Sequence, residues 1–144
     1  RPSKAVNVED APPLIAIDVK IESELAELTD SERVEYMKEL GITESGLDRL
    51  ASAAYKILNL ITFITAGPKE SKAWTIVKGT KAPQAAGVIH TDFEKGFIRA
   101  EIIQWDKLLE AGGYGPARDK GWLRIEGKEY IIADGDVVHF RFNV

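Results

Sequence analysis

Cysteine is missing altogether from the 144 residues, histidine occurs twice and methionine once. Without thiols there are no disulfides, no thiolate metal sites and no cysteine nucleophile, which fits a cytoplasmic origin. With only His90 and His139 there is no HxxxH pair to grip a metal ion, and no Ser-His-Asp arrangement can be argued from spacing. No apolar run approaches the roughly 18 residues of a membrane span, and nothing resembles a signal peptide, so no membrane partner is expected. The phosphate-cradling GxxxxGK[ST] loop is also absent. Without that loop and its lysine these residues cannot hold a nucleotide's phosphates for hydrolysis, and no catalytic residue is assigned. The sequence opens Arg1-Pro2 without an initiator Met. It therefore reads as a piece of a longer protein.

What is present suits a globular domain. Hydrophobic residues make up 44% and charged residues 29%, an ordinary balance for a folded chain. The length allows one domain with a real core, or a small domain plus an appendage. A net charge of −4 argues against a protein that coats nucleic acid. The charge is uneven, however. Residues 1–59 carry seven Lys and Arg against twelve Asp and Glu, whereas residues 60–144 carry twelve against eleven. A polyanionic partner is expected to meet the second half.

Residues 1–13 lack periodicity and end in Pro12-Pro13, a loop or chain end. Leu14–Val19 is a short apolar run and reads as a buried strand. Ile21, Leu25 and Leu28 then fall on one helical face. Thr29 with Glu32 three residues on forms a capping-box pattern. It opens a helix that turns Val34, Met37 and Leu40 inward and closes at Gly41. Ser45 and Asp48 cap a further helix, whose stripe Leu47, Leu50, Ala51, Ala54, Ile57 and Leu58 suits a packing face between domains.

At Leu60 the hydrophobic period changes to two. Two alternating runs, one through Ile61 and Phe63, the other through Trp74 and Ile76, flank Gly67-Pro68 and read as a hairpin. Gly79-Thr80 then leads into a helix with Thr80 as N-cap and Pro83 in its first turn. Ala82, Ala85, Ala86, Ile89 and Phe93 recur at helical spacing, a narrow face able to lie close on a sheet. Gly96 stops this helix. Phe97–Ile103 reads as a strand, Trp105–Leu109 as a short helix and Ala111–Pro116 as a loop. Trp122–Glu126 and Tyr130–Ile132 read as short strands joined at Gly127-Lys128, and Asp134-Gly135 as a tight turn. In the last run Val138, Phe140 and Phe142 point one way, and Val137, His139 and Arg141 the other. Two strands, a crossing helix and further strands make an α+β chain in β-grasp (ubiquitin-like) order. A short strand and two to three helices precede it, with the division expected at 1–59 and 60–144.

Two stretches carry a family resemblance: AWTIVKGTKAPQAAGVIHTDFEKGFIRAEII at residues 73–103 and EGKEYIIADGDVVHFRFNV at residues 126–144. They resemble the C-terminal TGS domain of the YchF or Obg-like ATPase family of P-loop proteins. The resemblance implies a β-grasp TGS domain at 60–144 and a remnant of the nucleotide-binding domain at 1–59. It implies a cytoplasmic parent that binds and hydrolyses ATP or GTP with Mg²⁺ and associates with the ribosome. This region would then dock RNA or ribosomal protein and pack on its own nucleotide-binding domain. Asn7 and Asp10 stand at the spacing of the P-loop base-recognition motif, but the family's motif ends in Glu. They are read as a chance match or an altered remnant.

Lys72, Lys78, Lys81, Lys95 and Arg99 are the candidate RNA or ribosome contacts, which a β-grasp sheet would gather at one edge. Phosphate contact through such side chains is salt-sensitive and sequence-tolerant; the alternative, ordinary solvated cations, stays open. Trp74, Trp105 and Trp122 offer stacking surfaces, though alternation puts Trp74 in the core. His90 reads as structural, Gly112-Gly113-Tyr114-Gly115 as a plain loop, and Asp134 and Asp136 as parts of a hairpin rather than paired acids. Two other expectations stand beside the binding module. One is a hydrolase whose catalytic domain lies outside these residues. The other is a protein–protein interaction domain that uses the Leu47–Leu58 stripe.

Overall fold

The computed structural model describes residues 14–143. The chain divides into two compact units, Arg1–Ile57 and Leu58–Val144.

The first unit is helical in its described residues. α1 (Val19–Glu27) starts where Asp18 accepts hydrogen bonds from the Lys20 and Ile21 amides, at 3.0 and 3.2 Å. Residues 14–18 form no strand, contrary to the reading of Leu14–Val19. A strand needs a ladder partner, the described residues supply none, and Leu14 is 98% exposed. α2 (Asp30–Glu39) carries the expected capping box between Thr29 and Glu32. It ends in a Schellman turn, with Gly41 N–H on the Lys38 carbonyl and Ile42 N–H on that of Met37. Val34 and Leu40 are exposed rather than inward, and α2 buries no residue fully.

α3 (Gly46–Ile57) is capped twice over. The Ser45 hydroxyl accepts from the Asp48 amide at 3.0 Å, and Glu22 of α1 accepts from the Gly46 amide at 2.6 Å. That Glu22 bond ties α1 to the start of α3. Arg49 supports it by donating to the Ala16 carbonyl at 2.9 Å.

The second unit is a five-stranded sheet in the order β2-β1-β5-β3-β4. β1 (Leu60–Ala66) and β2 (Ser71–Val77) form the expected antiparallel hairpin. After α4 (Ala82–Ile89) and α5 (Thr91–Lys95) comes β3 (Phe97–Gln104). Then follow α6 (Trp105–Ala111), α7 (Tyr114–Asp119), β4 (Arg124–Glu126) and β5 (Asp136–Phe142). The first and last strands lie side by side in parallel, paired at Ile64 and Val137, and β3 runs antiparallel to β5. This order, with α4 and α5 across one face, is the β-grasp.

Burial follows the period of two. Phe63, Ile76, Ala100, Ile102, Val138 and Phe140 face the fully buried alanines Ala82, Ala85 and Ala86 of α4. Methyl side chains let the helix approach the sheet closely, and the branched and aromatic residues opposite fill the space. On the other face Ile103 and Val137 pack against Ala117 of α7, with Ile64, Leu108 and Tyr114 around them.

Several boundaries differ from the sequence reading. Lys81, not Thr80, occupies the N-cap of α4, because the Thr80 hydroxyl donates to the Val77 carbonyl at 2.6 Å within the preceding turn. The expected single helix is two, broken at His90, whose backbone is extended and whose Nδ1 accepts from the Asp92 amide at 3.2 Å. Residues 111–116 are not a plain loop. Gly112, at φ +81°, ends α6, and α7 begins at Tyr114. The strand expected at Trp122–Glu126 shortens to β4, and Tyr130–Ile132 supplies only an isolated bridge from Ile131 to Lys81. Asp134 and Asp136 thus lead into β5 without the expected hairpin partner.

Candidate functional site

The five candidate cations all lie in the second unit, but the strand order does not collect them at one edge. Lys72 is on the edge strand β2 and Lys78 just past its end, while Arg99 is on β3, three strands away. At about 4.8 Å per strand that separation is about 14 Å. Lys78 and Lys81 flank the turn into α4; Lys95 ends α5 close in sequence to Arg99. Two of the five have partners within the chain. The Lys72 ammonium lies 4.2 Å from the Trp74 ring centroid, and Lys81 pairs with Glu129 at 2.5 Å. The Lys81 hydrogen bond and charge hold the Glu129 carboxyl below its ordinary range. Among the described residues Lys78, Lys95 and Arg99 form no ion pair, so they are the cations open to an outside phosphate. Asn7 and Asp10 lie outside the described residues.

The aromatic candidates separate by burial. Trp74 packs against the main core, stacked on Phe63 at 6.5 Å, and its indole N–H donates to Thr65 at 2.9 Å. Trp122 is half-buried with Lys120 4.5 Å from its ring, and Trp105 is half-exposed. His90 acts as the N-cap of α5.

The two aspartates are tied into the backbone around them. Asp134 accepts from the Thr62 amide at 2.8 Å, fastening the turn to β1. Asp136 is fully buried and accepts from the Gln104 side-chain Nε2 at 2.6 Å, the Ala133 N–H at 2.8 Å and the Tyr130 hydroxyl at 2.9 Å. Arg124 stands 3.8 Å from it and also donates to the Tyr130 hydroxyl at 3.0 Å. Burial, and then the bond to Asp136, push the Tyr130 hydroxyl above its ordinary pKa. Such a satisfied network fixes a fold.

On the sheet face away from α4 lies a cleft that sequence reasoning missed. It has a volume of about 770 Å³ and is bordered by Ala66–Pro68, Leu108, Leu109 and the Gly112–Tyr114 turn, with Glu101, Arg118, His139 and Arg141 among its lining residues. Glu101 is held by Arg141 Nε at 3.1 Å, and Arg118 approaches it at 3.6 Å. The Arg141 hydrogen bond, with the charges of Arg141, His139 and Arg118, keeps the Glu101 carboxyl below its ordinary range. Crowding by the chain pushes the His139 imidazole down; Arg141 and Arg118 add to this and Glu101 opposes it. The Tyr114 hydroxyl is shut off from solvent and has no hydrogen-bond partner among the described residues. Burial, then the Glu101 charge, raise its pKa. The one sequence signal was the four-residue spacing of Tyr114 and Arg118, masked by the surrounding glycines.

Among the described residues no group of three or more His, Cys, Asp or Glu side chains could hold a metal ion. No helix there is long and apolar enough to cross a membrane.

Comparison with known proteins places this geometry. Residues 60–143 match the family YchF-GTPase_C, described as a protein of unknown function (DUF933). The "Ribosome-binding ATPase YchF" of Bacillus subtilis (strain 168) is 55% identical over 131 residues, covering 91% of this chain and 36% of that protein. "Obg-like ATPase 1" of Pongo abelii is 48% identical over 123 residues, covering 85% of this chain and 31% of that one. The solved structure of the Schizosaccharomyces pombe YchF GTPase superposes with a TM-score of 0.78 at 42% identity, covering 87% of this chain and 33% of that one. The chain thus spans about a third of the length of the relatives it matches.

Proposed function

This chain belongs to the YchF family, and from that premise we propose that it is the ribosome-docking adaptor region of a YchF-like nucleotide hydrolase. The observation that carries this reading is the 55% identity, over 91% of the chain, with a protein named a ribosome-binding ATPase. The β-grasp unit would act as a TGS domain, meeting ribosomal RNA through Lys78, Lys95 and Arg99, with Lys72 and Lys81 contributing once released from their intrachain partners. Phosphate contacts of this kind give affinity that falls steeply with salt. The intact protein would be cytoplasmic and would bind and hydrolyse ATP or GTP with Mg²⁺ through a nucleotide-binding domain packed on this region.

The residues present do not fit a Mg²⁺–nucleotide complex. The sequence has no GxxxxGK[ST] loop, and the described residues hold no group of metal-ligating side chains.

Co-sedimentation with ribosomes at several salt concentrations tests the reading. Replacing Lys78, Lys95 and Arg99 together by Gln is expected to weaken binding and flatten its salt dependence, by a log–log slope of about 0.7 for each phosphate no longer neutralised. Binding unchanged at every salt concentration would remove these residues from the interface.

A second reading, a protein–protein contact without RNA affinity, rests on α3. Its Leu47, Leu50 and Ile57 are exposed, Ile57 to 64%. That reading predicts concentration-dependent association insensitive to salt.

A further inference from the structure

The cleft beside α7 is built unlike the surface around it. One wall is apolar, made by Ala66, Pro68, Leu108 and Leu109, and Leu109 is 71% exposed. The other is charged, with two guanidinium groups sharing one carboxylate. Glu101 is 13% exposed and satisfied by Arg141, which bonds it through Nε at 3.1 Å. Arg118 is the looser of the two partners. Its 3.6 Å approach to Glu101 is too long for a hydrogen bond, and its side chain is 66% exposed. The cleft therefore carries two guanidinium groups for one carboxylate, beside an exposed apolar wall. Tyr114, whose hydroxyl has no partner among the described residues, shares a helix face with Arg118 at a spacing of four residues. The volume of about 770 Å³ lies within the range typical of small-molecule sites.

We propose that this cleft binds a small molecule with a flat apolar body and one anionic head. Arg118 takes the head, turning away from Glu101, and the body lies on the wall formed by Pro68, Leu108 and Leu109. Arginine suits the role because its planar fork meets carboxylate or phosphate with two parallel hydrogen bonds. Glu101 then acts as an internal competitor that keeps Arg118 near the cleft mouth while no ligand is bound. The site is separate from the cations assigned to ribosomal RNA. Failure of ribosome co-sedimentation leaves this inference standing, and its failure leaves that reading intact.

The test is ¹H–¹⁵N correlation NMR of the 144-residue chain. It is titrated separately with indole-3-acetate, guanosine monophosphate and inorganic phosphate, which distinguish an aromatic carboxylate, a nucleotide and a bare anion. At least one ring-bearing anion is expected to shift the amides of Gly112, Gly113, Tyr114, Arg118 and His139, with a dissociation constant of about 1 mM or tighter. Arg118→Gln, at an exposed position, is expected to weaken that binding by about tenfold or more while leaving distant resonances in place. Glu101→Gln removes the competitor and is expected to strengthen it. Three outcomes overturn the proposal: no shift at these amides, phosphate alone shifting them as far as the ring-bearing anions, or Glu101→Gln weakening the binding.

Discussion

Replacing Asp136 by Ala removes the hub that joins β5 to β3 and to the segment before β5. The carboxylate is fully buried and accepts three hydrogen bonds, from Gln104, Ala133 and Tyr130, at 2.6 to 2.9 Å. Two effects oppose each other. Removing the charge recovers the several kcal/mol its burial costs, but it strands two half-buried side-chain donors and a backbone N–H, each at up to about 1–3 kcal/mol. Truncation also leaves Arg124 without the carboxylate it faces at 3.8 Å. Breaking a buried network from one side typically costs about 3–5 kcal/mol, and that range is the expectation here. Urea unfolding followed by tryptophan fluorescence reads it, as a lower midpoint at unchanged slope. Repeating the substitution in a Tyr130→Phe background should show a coupling of roughly 0.5–3 kcal/mol between the two sites. A loss below about 1 kcal/mol for Asp136→Ala, or no coupling to Tyr130, would refute the claim that these hydrogen bonds hold the sheet together.

Two further outcomes follow from the same unit. A Cβ on Gly96 would lie 2.1 Å from the Asn143 backbone oxygen, so Gly96→Ala must open the end of the β3–β5 ladder. The unfolding temperature should drop by several degrees, whereas the same change at Gly127, with open space around it, should move it little. Acidification should destabilise in two steps. The His139 pKa is lowered from 6.5 in the fold, so the unfolded chain takes up a proton more readily as pH falls below about 6.5, and stability declines there. Glu101, lowered from 4.5, contributes stability that is present above that value and lost as pH falls through its folded pKa. His139→Gln should flatten the first limb of a pH-unfolding profile and Glu101→Gln the second; a steeper first limb for His139→Gln would contradict the assignment.

The features read correctly from sequence are those set by neighbours along the chain. The Thr29–Glu32 box, the β1–β2 hairpin at Gly67-Pro68 and the alternating faces of β5 each lie within a short stretch of chain. Leu14–Val19 misled because a short apolar run does not say whether a ladder partner exists. Thr80 lost its capping role to a competing carbonyl at Val77, and His90 broke the helix by capping the next one. Neither competition shows in spacing. The cleft was the least legible feature. It is assembled from the β1–β2 turn, β3, α6, α7 and β5, segments that only the sheet order brings together.

The placement of β5 has a consequence for how the β-grasp unit is made. The strand synthesised last of the five occupies the middle of the sheet, between β1 and β3. Until it leaves the exit tunnel the earlier strands form two unconnected ribbons, each with an open flank. Completion is thus a single late zippering event, and a nascent chain stalled short of Asp136 would present two sticky edges rather than a partly finished sheet.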